Sequence, residues 1–515
     1  MNRLALILGA CMWLASVSSF AQYTLDLNTP ESYDGYTLFA PNNSLTTYMM
    51  DNCSHVVNSW VSENRPGLVC YFLEDGTLLR TGRVAGDDIH FGGTGGYLER
   101  MDWDGNQIWD MDLYEPLNYC QHHDVEYLPN GNILMVMWEY FTAAECVAAG
   151  FLSNEPRWSE MIWEVDPSQE GNPVVWEWHA WDHLVVNSPA AHPELIWTGC
   201  GRQSSPPNTD SVDWLHCNTV AYNAGLDHIV LSMRAADEIW IIDHSTTTEE
   251  AAGHTGGNMG KGGDLLYRWG NPVSYDVGSS DDQTLYGQHD VHWIADGLVD
   301  AGKLMVYNNG DGRGWSSVDV FTPPTDAEGN YLMEAGTVTG PEILDWTYVA
   351  PNPPDFFSEH ISGAGRLPNG NTLICEGGTG HFFEVQLDGT VVWDFDGNAG
   401  VFRAYRYGPD YPGFDGIDLT PGESLDLDVE DCALFTGVEE AAASLVSYPN
   451  PTDGRVQILD ASADMAFVWT DVCGTRVNVA TTGPAEFDLS ALPAGMYLLH
   501  TTSGSRTTTQ RILKR

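Results

Sequence analysis

Short apolar runs alternate with turn-forming clusters along most of the chain, and a tryptophan recurs at the end of alternate runs. Val56-Val57-Asn58-Ser59-Trp60, Gln107-Ile108-Trp109, Val174-Val175-Trp176, Leu265-Leu266-Tyr267-Arg268-Trp269, Ile343-Leu344-Asp345-Trp346 and Val391-Val392-Trp393 are the six instances. Asp104-Gly105, Gly171-Asn172 and Asp388-Gly389 stand just before three of them, and such pairs before β-rich runs are hairpin turns. Other hairpins lie between: Leu68 to Leu79, Val125 to Leu134, Ile229 to Arg234, Lys303 to Tyr307, and Arg366 to Ile374, the last a near copy of the second. Repeated hairpins with periodic aromatics predict an all-β array, a six-bladed β-propeller over residues 22–436. Five inner hairpins face six tryptophan-bearing ones. The missing partner is expected between Val401 and Leu434, pairing with the region Tyr36 to Trp60 and closing the ring with both chain ends. Closure removes the open sheet edges that invite aggregation.

The ends read differently. Asn2-Arg3, the apolar stretch Leu4 to Val17, and Ser19-Phe20-Ala21 form a secretory signal over residues 1–21. The stretch is too short for a stable span, and no later run approaches about 18 apolar residues, so no transmembrane segment is expected in the mature chain. Residues 437–446 are an acidic, alanine-rich linker, and 447–515 predict a small C-terminal β-sandwich.

Charge narrows the partners. Across 515 residues, 72 acidic against 21 basic side chains give a formal charge of −51. Nucleic acid and anionic membranes are excluded for the chain as a whole. A locally cationic pocket stays open, and in such a chain each buried Arg or His carries more meaning. Export permits disulfides. Neighbours in sequence suggest Cys53–Cys70, Cys120–Cys146, Cys200–Cys217 and Cys375–Cys432, although spacing does not settle connectivity. The absence of a CxxC pair argues against a zinc–thiolate site.

Candidate chemistry sits where the inner runs begin. Imidazoles stand at His122-His123-Asp124, His216-Cys217-Asn218, Gln288-His289-Asp290 and Glu359-His360-Ile361. Taken singly, each is an ordinary structural histidine; four at equivalent blade positions could meet in one funnel. The clusters around His123 and His289 could otherwise ligate zinc or copper, but their spacing matches no familiar metal signature.

Two resemblances follow. Tyr448-Pro449-Asn450-Pro451, Asp488-Leu489-Ser490, Leu492-Pro493-Ala494-Gly495-Met496-Tyr497 and the basic tail resemble the C-terminal sorting domain of the Bacteroidetes type IX secretion system. That resemblance implies recognition by the type IX machinery and release or display at the cell surface. The main domain resembles the bacterial arylsulfate sulfotransferase family through Tyr36 to Trp60, His122-His123-Asp124, Leu128-Pro129-Asn130-Gly131-Asn132, Asp213-Trp214-Leu215-His216-Cys217-Asn218, Ser232-Met233-Arg234, Gln288-His289-Asp290 and Phe402-Arg403-Ala404-Tyr405.

The family resemblance implies a six-bladed propeller that moves a sulfuryl group from an aryl sulfate donor to a phenolic acceptor without a cofactor, through a sulfated histidine. It assigns His289 as nucleophile and His123, His216 and Arg234 as the groups around the sulfuryl oxygens. Asn218 and His360 are expected to line the substrate site. The chain departs from the family at Thr219, where Ser is usual, and at Ala235-Ala236, where polar residues are common. A non-catalytic propeller binding an anionic or phenolic ligand, and an arylsulfatase-like hydrolase, are the competing expectations.

Overall fold

The computed structural model describes residues 23–84, 86, 89–199, 212–397, 399–426, 447–448, 452, 454–458, 465–471, 476–483, 485–503 and 506–515. The expected leader (1–21), the linker (437–446), Cys200, Cys432 and Cys473 lie outside them. Chain contacts divide into two compact units, with the boundary between Glu430 and Asp431.

The first unit is all-β and is built from six antiparallel meanders of four strands among the described residues. The second sheet runs Pro66–Phe72, Leu78–Arg83, Gly96–Met101, Gln107–Asp112. The third runs Tyr119–Tyr127, Ile133–Phe141, Arg157–Val165, Val174–His179. The fourth runs Cys217–Asn223, His228–Met233, Glu238–Asp243, Tyr267–Trp269. The fifth runs His289–Trp293, Leu304–Asn308, Ser317–Phe321, Trp346–Tyr348. The sixth runs Gly363–Arg366, Thr372–Glu376, His381–Val385, Val391–Asp396, with Thr24–Asn28 added outside.

The first sheet takes its innermost strand from the far end of the domain. Val401–Tyr407 pairs antiparallel with Tyr36–Pro41, which continues to Thr46–Met50 and Val56–Val61. The expected closing segment is thus found, within the span Val401 to Leu434. The innermost strands adjoin in a cycle, second to third, third to fourth, and onward until the first meets the second.

Burial explains the continuous apolar runs. Within His228–Met233, Ile229 and Leu231 pack toward the third sheet with Val136, Ile162 and Trp178, whereas Val230 packs toward the fifth with Val306 and Phe321. Side chains alternate faces along a strand, so a sheet covered on both faces must be apolar at every position. Each fully buried Ile, Leu or Val contributes about 1.5–3 kcal/mol.

All six repeated tryptophans lie on the fourth strand of a meander, and each indole N–H reaches the next sheet. Trp60 donates to Asp102 O at 2.9 Å, Trp109 to Asn172 Oδ1 at 3.1 Å, and Trp176 to Thr246 Oγ1 at 3.2 Å. Trp269 donates to Pro341 O at 3.1 Å, Trp346 to Leu387 O at 2.9 Å, and Trp393 to Asn52 O at 2.9 Å, which returns to the first sheet. A buried indole needs such an acceptor, and here the acceptor is always the neighbour's outer turn.

The disulfide expectation is corrected. Cys70, Cys120, Cys146, Cys217 and Cys375 are buried thiols outside any disulfide, so none of the four neighbour pairings forms; Cys53 is held in a disulfide. The free thiols behave as small apolar side chains. Cys70 packs beside Trp60 and Phe72, Cys120 beside Trp138 and Trp158, and Cys146 beside Trp214.

In the second unit, a four-stranded and a three-stranded sheet enclose one apolar core of Val456, Ile458, Trp469, Phe487, Leu489, Tyr497, Leu499 and Ile512. Among the described residues no helix is long and apolar enough to cross a membrane.

Candidate active site

The innermost strands do not start as ideal strands. His123, His216, Asp290 and Ile361 have φ of 53°, 52°, 56° and 50°, in the left-handed region that costs a non-glycine residue about 1–2 kcal/mol. Pairing register shifts at the same places, between Gln121 and Val125, Cys217 and Thr219, and His289 and His292. Such bulges bend a strand and re-aim a side chain. Their result is one cavity of about 730 Å³ lined by His123, His216, Arg234, His289 and His360. Five side chains selected from sequence, contributed by four consecutive sheets or the loops beside them, therefore share one space.

Asn218 is placed differently from the expectation. It is fully buried behind the lining, where its amide donates to Gln288 O at 2.8 Å and its Oδ1 accepts from Thr219 Oγ1 at 3.1 Å. It holds the backbone next to His289 and does not face the cavity lining.

A hub of charge lies deeper. Arg403, on the closing strand, pairs with Asp124 Oδ2 at 2.9 Å and Asp290 Oδ1 at 2.9 Å, and donates to Thr219 Oγ1 at 2.9 Å. Tyr71 donates to Asp124, and the Ala364 N–H donates to Asp290 at 2.9 Å. All six sheets thus meet around one guanidinium. Burial opposes its charge, and the two carboxylates outweigh burial and raise its pKa.

His289 has a defined tautomer. Its Nδ1 lies 2.7 Å from Asn309 Oδ1 and 3.1 Å from Gly287 O. The Asn309 amide nitrogen donates to Ser358 O at 2.7 Å and Ile361 O at 2.9 Å, so its oxygen must face the imidazole and accept. The proton of neutral His289 is therefore on Nδ1 and the lone pair on Nε2, which takes the Ile361 N–H at 3.2 Å. Burial first, then the Arg234 charge, hold the His289 pKa well below the ordinary value near 6.5.

His123 and His216 rings stand edge to face with centroids 4.6 Å apart. Asp213 bonds His216 Nδ1 and accepts the Trp138 indole N–H at 3.2 Å. His123 Nδ1 lies 2.8 Å from His122 Nδ1, and burial, followed by the His216 charge, holds the His123 pKa well below the usual range. Arg234 opens a short turn after His228–Met233, anchored through its N–H to His216 O at 3.2 Å, and touches Asp311 at 3.5 Å. The His360 side chain is more than half exposed, and burial lowers its pKa.

Sequence reasoning missed part of the lining. Arg65, Arg83 and His90 also face the cavity, and Asp213 is the single carboxylate among the described lining residues. In a chain of −51 charge, three arginines gathered on one cavity make it a site for an anion. Asp124 of the His122-His123-Asp124 cluster turns to Arg403, so the three do not converge as ligands. The arrangement offers a neutral imidazole lone pair, a permanent cation and two more imidazoles around one cavity, parts that group transfer through a covalent histidine requires.

Comparison with known proteins gives two family matches. The Arylsulfotransferase (ASST) family matches residues 45–399, and the Secretion system C-terminal sorting domain matches residues 446–515. No curated protein matches the sequence significantly. Among solved structures, a protein of unknown function from Bacteroides caccae is 11% identical, with 73% of this chain and 99% of that chain covered and a TM-score of 0.42. The periplasmic gluconolactonase PpgL of Pseudomonas aeruginosa is 13% identical, with 73% and 99% covered and a TM-score of 0.39.

Proposed function

The chain belongs to the arylsulfotransferase family, and from that premise we propose that it transfers a sulfuryl group from an aryl sulfate to a phenol through a sulfated His289. The C-terminal sorting domain directs it to the cell surface or to secretion. On this reading the six meanders are the blades of a six-bladed propeller and the cavity is its axial funnel. The type IX machinery is the export partner.

The observation that carries the proposal is the fixed tautomer of His289 inside a cationic cavity. In the first half-reaction the Nε2 lone pair leaves the Ile361 N–H and attacks sulfur as the S–O bond to the aryl oxygen breaks. The new sulfoimidazolium keeps its Nδ1–H on Asn309 Oδ1, and that bond strengthens as the ring gains positive charge. Arg234 neutralises the sulfonate oxygens with a fork of fixed donors. His216, oriented by Asp213, donates beside it, and His123 protonates the departing phenoxide. In the second half-reaction the acceptor phenol gives its proton to His123 and its oxygen takes the sulfuryl group, breaking the S–N bond. No cofactor enters these steps.

His289→Ala is expected to abolish release of nitrophenol from p-nitrophenyl sulfate in the presence of phenol, while its circular dichroism stays that of the folded parent. Full turnover by that variant would remove His289 from the reaction. Release that needs no acceptor would assign the site to a hydrolase, and tight binding without release would assign it to a binding propeller.

A further inference from the structure

Behind His123 runs a file of buried groups that the transfer chemistry above does not use. His122 Nδ1 meets His123 Nδ1 at 2.8 Å, and His122 Nε2 meets Glu160 Oε2 at 2.9 Å. Both His122 and Glu160 are 0% exposed. The ring of His122 lies flat on Trp138, with centroids 3.8 Å apart and planes 5° apart, so it has no freedom to turn. Glu160 Oε1 accepts the Cys217 N–H at 2.8 Å, which leaves Oε2 as the atom that carries or releases a proton.

With both imidazoles neutral, two proton arrangements satisfy this file. In one, Glu160 is a carboxylic acid donating to His122 Nε2, His122 Nδ1–H donates to His123 Nδ1, and His123 holds a proton on Nε2. In the other, Glu160 is a carboxylate accepting from His122 Nε2–H, His123 Nδ1–H donates to His122 Nδ1, and His123 Nε2 carries a lone pair. The two differ by one proton, and every hydrogen bond of the file exists in both.

We propose that Glu160 and His122 form a proton relay that makes His123 the acid of the first half-reaction and the base of the second. The inference rests on the sulfuryl-transfer reading of the same cavity. When the S–O bond breaks, His123 Nε2 gives its proton to the phenoxide. In the same step His123 Nδ1 takes a proton from His122 Nδ1, and His122 Nε2 takes one from Glu160. The acceptor phenol reverses each move as the S–N bond breaks, so the relay ends each cycle as it began. Glu160 and His122 act through His123 and do not touch substrate.

The surroundings agree with the acid form at rest. Glu160 faces His122, Asp213, and the backbone N–H groups of His216 and Cys217. Burial, then the Asp213 charge, raises its pKa well above the ordinary carboxylate value, and burial lowers that of His122. The two N–H groups stabilise the carboxylate formed during turnover.

A leaving-group comparison tests the relay. Glu160→Gln keeps a donor to His122 Nε2 but cannot give up a proton in the relay. Phenyl sulfate needs protonation of its leaving oxygen far more than p-nitrophenyl sulfate does. Because general acid catalysis contributes about 10²–10⁴-fold, the variant should widen the rate ratio between these two donors by at least about 30-fold. An equal loss with both, or no loss, would overturn the relay. Wild-type protein inert toward both donors would instead overturn the transfer reading on which it rests. If the variant does not fold, the native protein supplies the measurement. The rate with phenyl sulfate in mixed H2O and D2O should curve with deuterium fraction, as more than one proton moves, and a straight line would overturn the relay.

Discussion

At the scale of single residues, the nucleophile depends on which nitrogen of His289 holds the proton. Asn309 decides it, because its amide is committed to two carbonyls and its oxygen can only accept. Burial and the nearby Arg234 then keep the ring neutral. The pH consequence has a definite sign. A lowered pKa means that the lone pair is present at every pH above that lowered value, and ordinary imidazole titration near 6.5 does not remove it. Sulfation of the enzyme by p-nitrophenyl sulfate should therefore stay level as pH falls from 8 through 6.5 and decline only at lower pH. An acid limb centred near 6.5 would show that the nucleophile is not held in this environment. The imidazoles themselves were legible in sequence, through their place at the start of inner runs and the motifs around them. Asn309, Glu160 and Asp213 were not singled out as site residues, because an Asn or a carboxylate in a strand or loop carries no mark of the ring it will face after folding.

At the scale of elements, turns and outer strands were legible because their signals are local. Asp-Gly and Asn-Gly pairs specify hairpins, and the recurrent tryptophans sit on the fourth strands of the meanders. The bulges at the inner ends were not legible. A left-handed non-glycine residue such as His123 or His216 breaks no composition rule, and one extra residue is invisible to a period-two pattern. Cysteine spacing misled too: Cys120 and Cys146, neighbours in sequence, lie in separate cores. Arg403 is the element-scale counterpart of Asn309, since the closing strand carries it into the hub. Arg403→Ala leaves Asp124 and Asp290 buried without their cation, which costs about 3–5 kcal/mol. The expected result in denaturant is a large fall in the unfolding midpoint of the whole unit. A midpoint equal to that of the parent would show that the hub does not tie the sheets together.

At the scale of the whole molecule, the first unit joins its own ends. Val401–Tyr407 lies against Tyr36–Pro41, and the six indole bonds run outer strand to outer turn around the same circuit. That circuit gives the four consecutive sheets bearing His123, His216 and Arg234, His289 and His360 a common centre. The acid excess belongs to the molecule as a whole, whereas the three arginines belong to the cavity, so an anion repelled by the surface is welcomed within. The all-β class and the closing strand followed from the repeat alone. The function followed from the motifs only in company with the family they resemble.

The central assertion is the covalent intermediate on His289, and the most direct measurement is the mass of the protein after brief mixing with p-nitrophenyl sulfate without acceptor. The account predicts a gain of one sulfuryl group, confined to the peptide that carries His289, and its disappearance when phenol is added. Nitrophenol release with no mass gain on that peptide, at any mixing time, would contradict it.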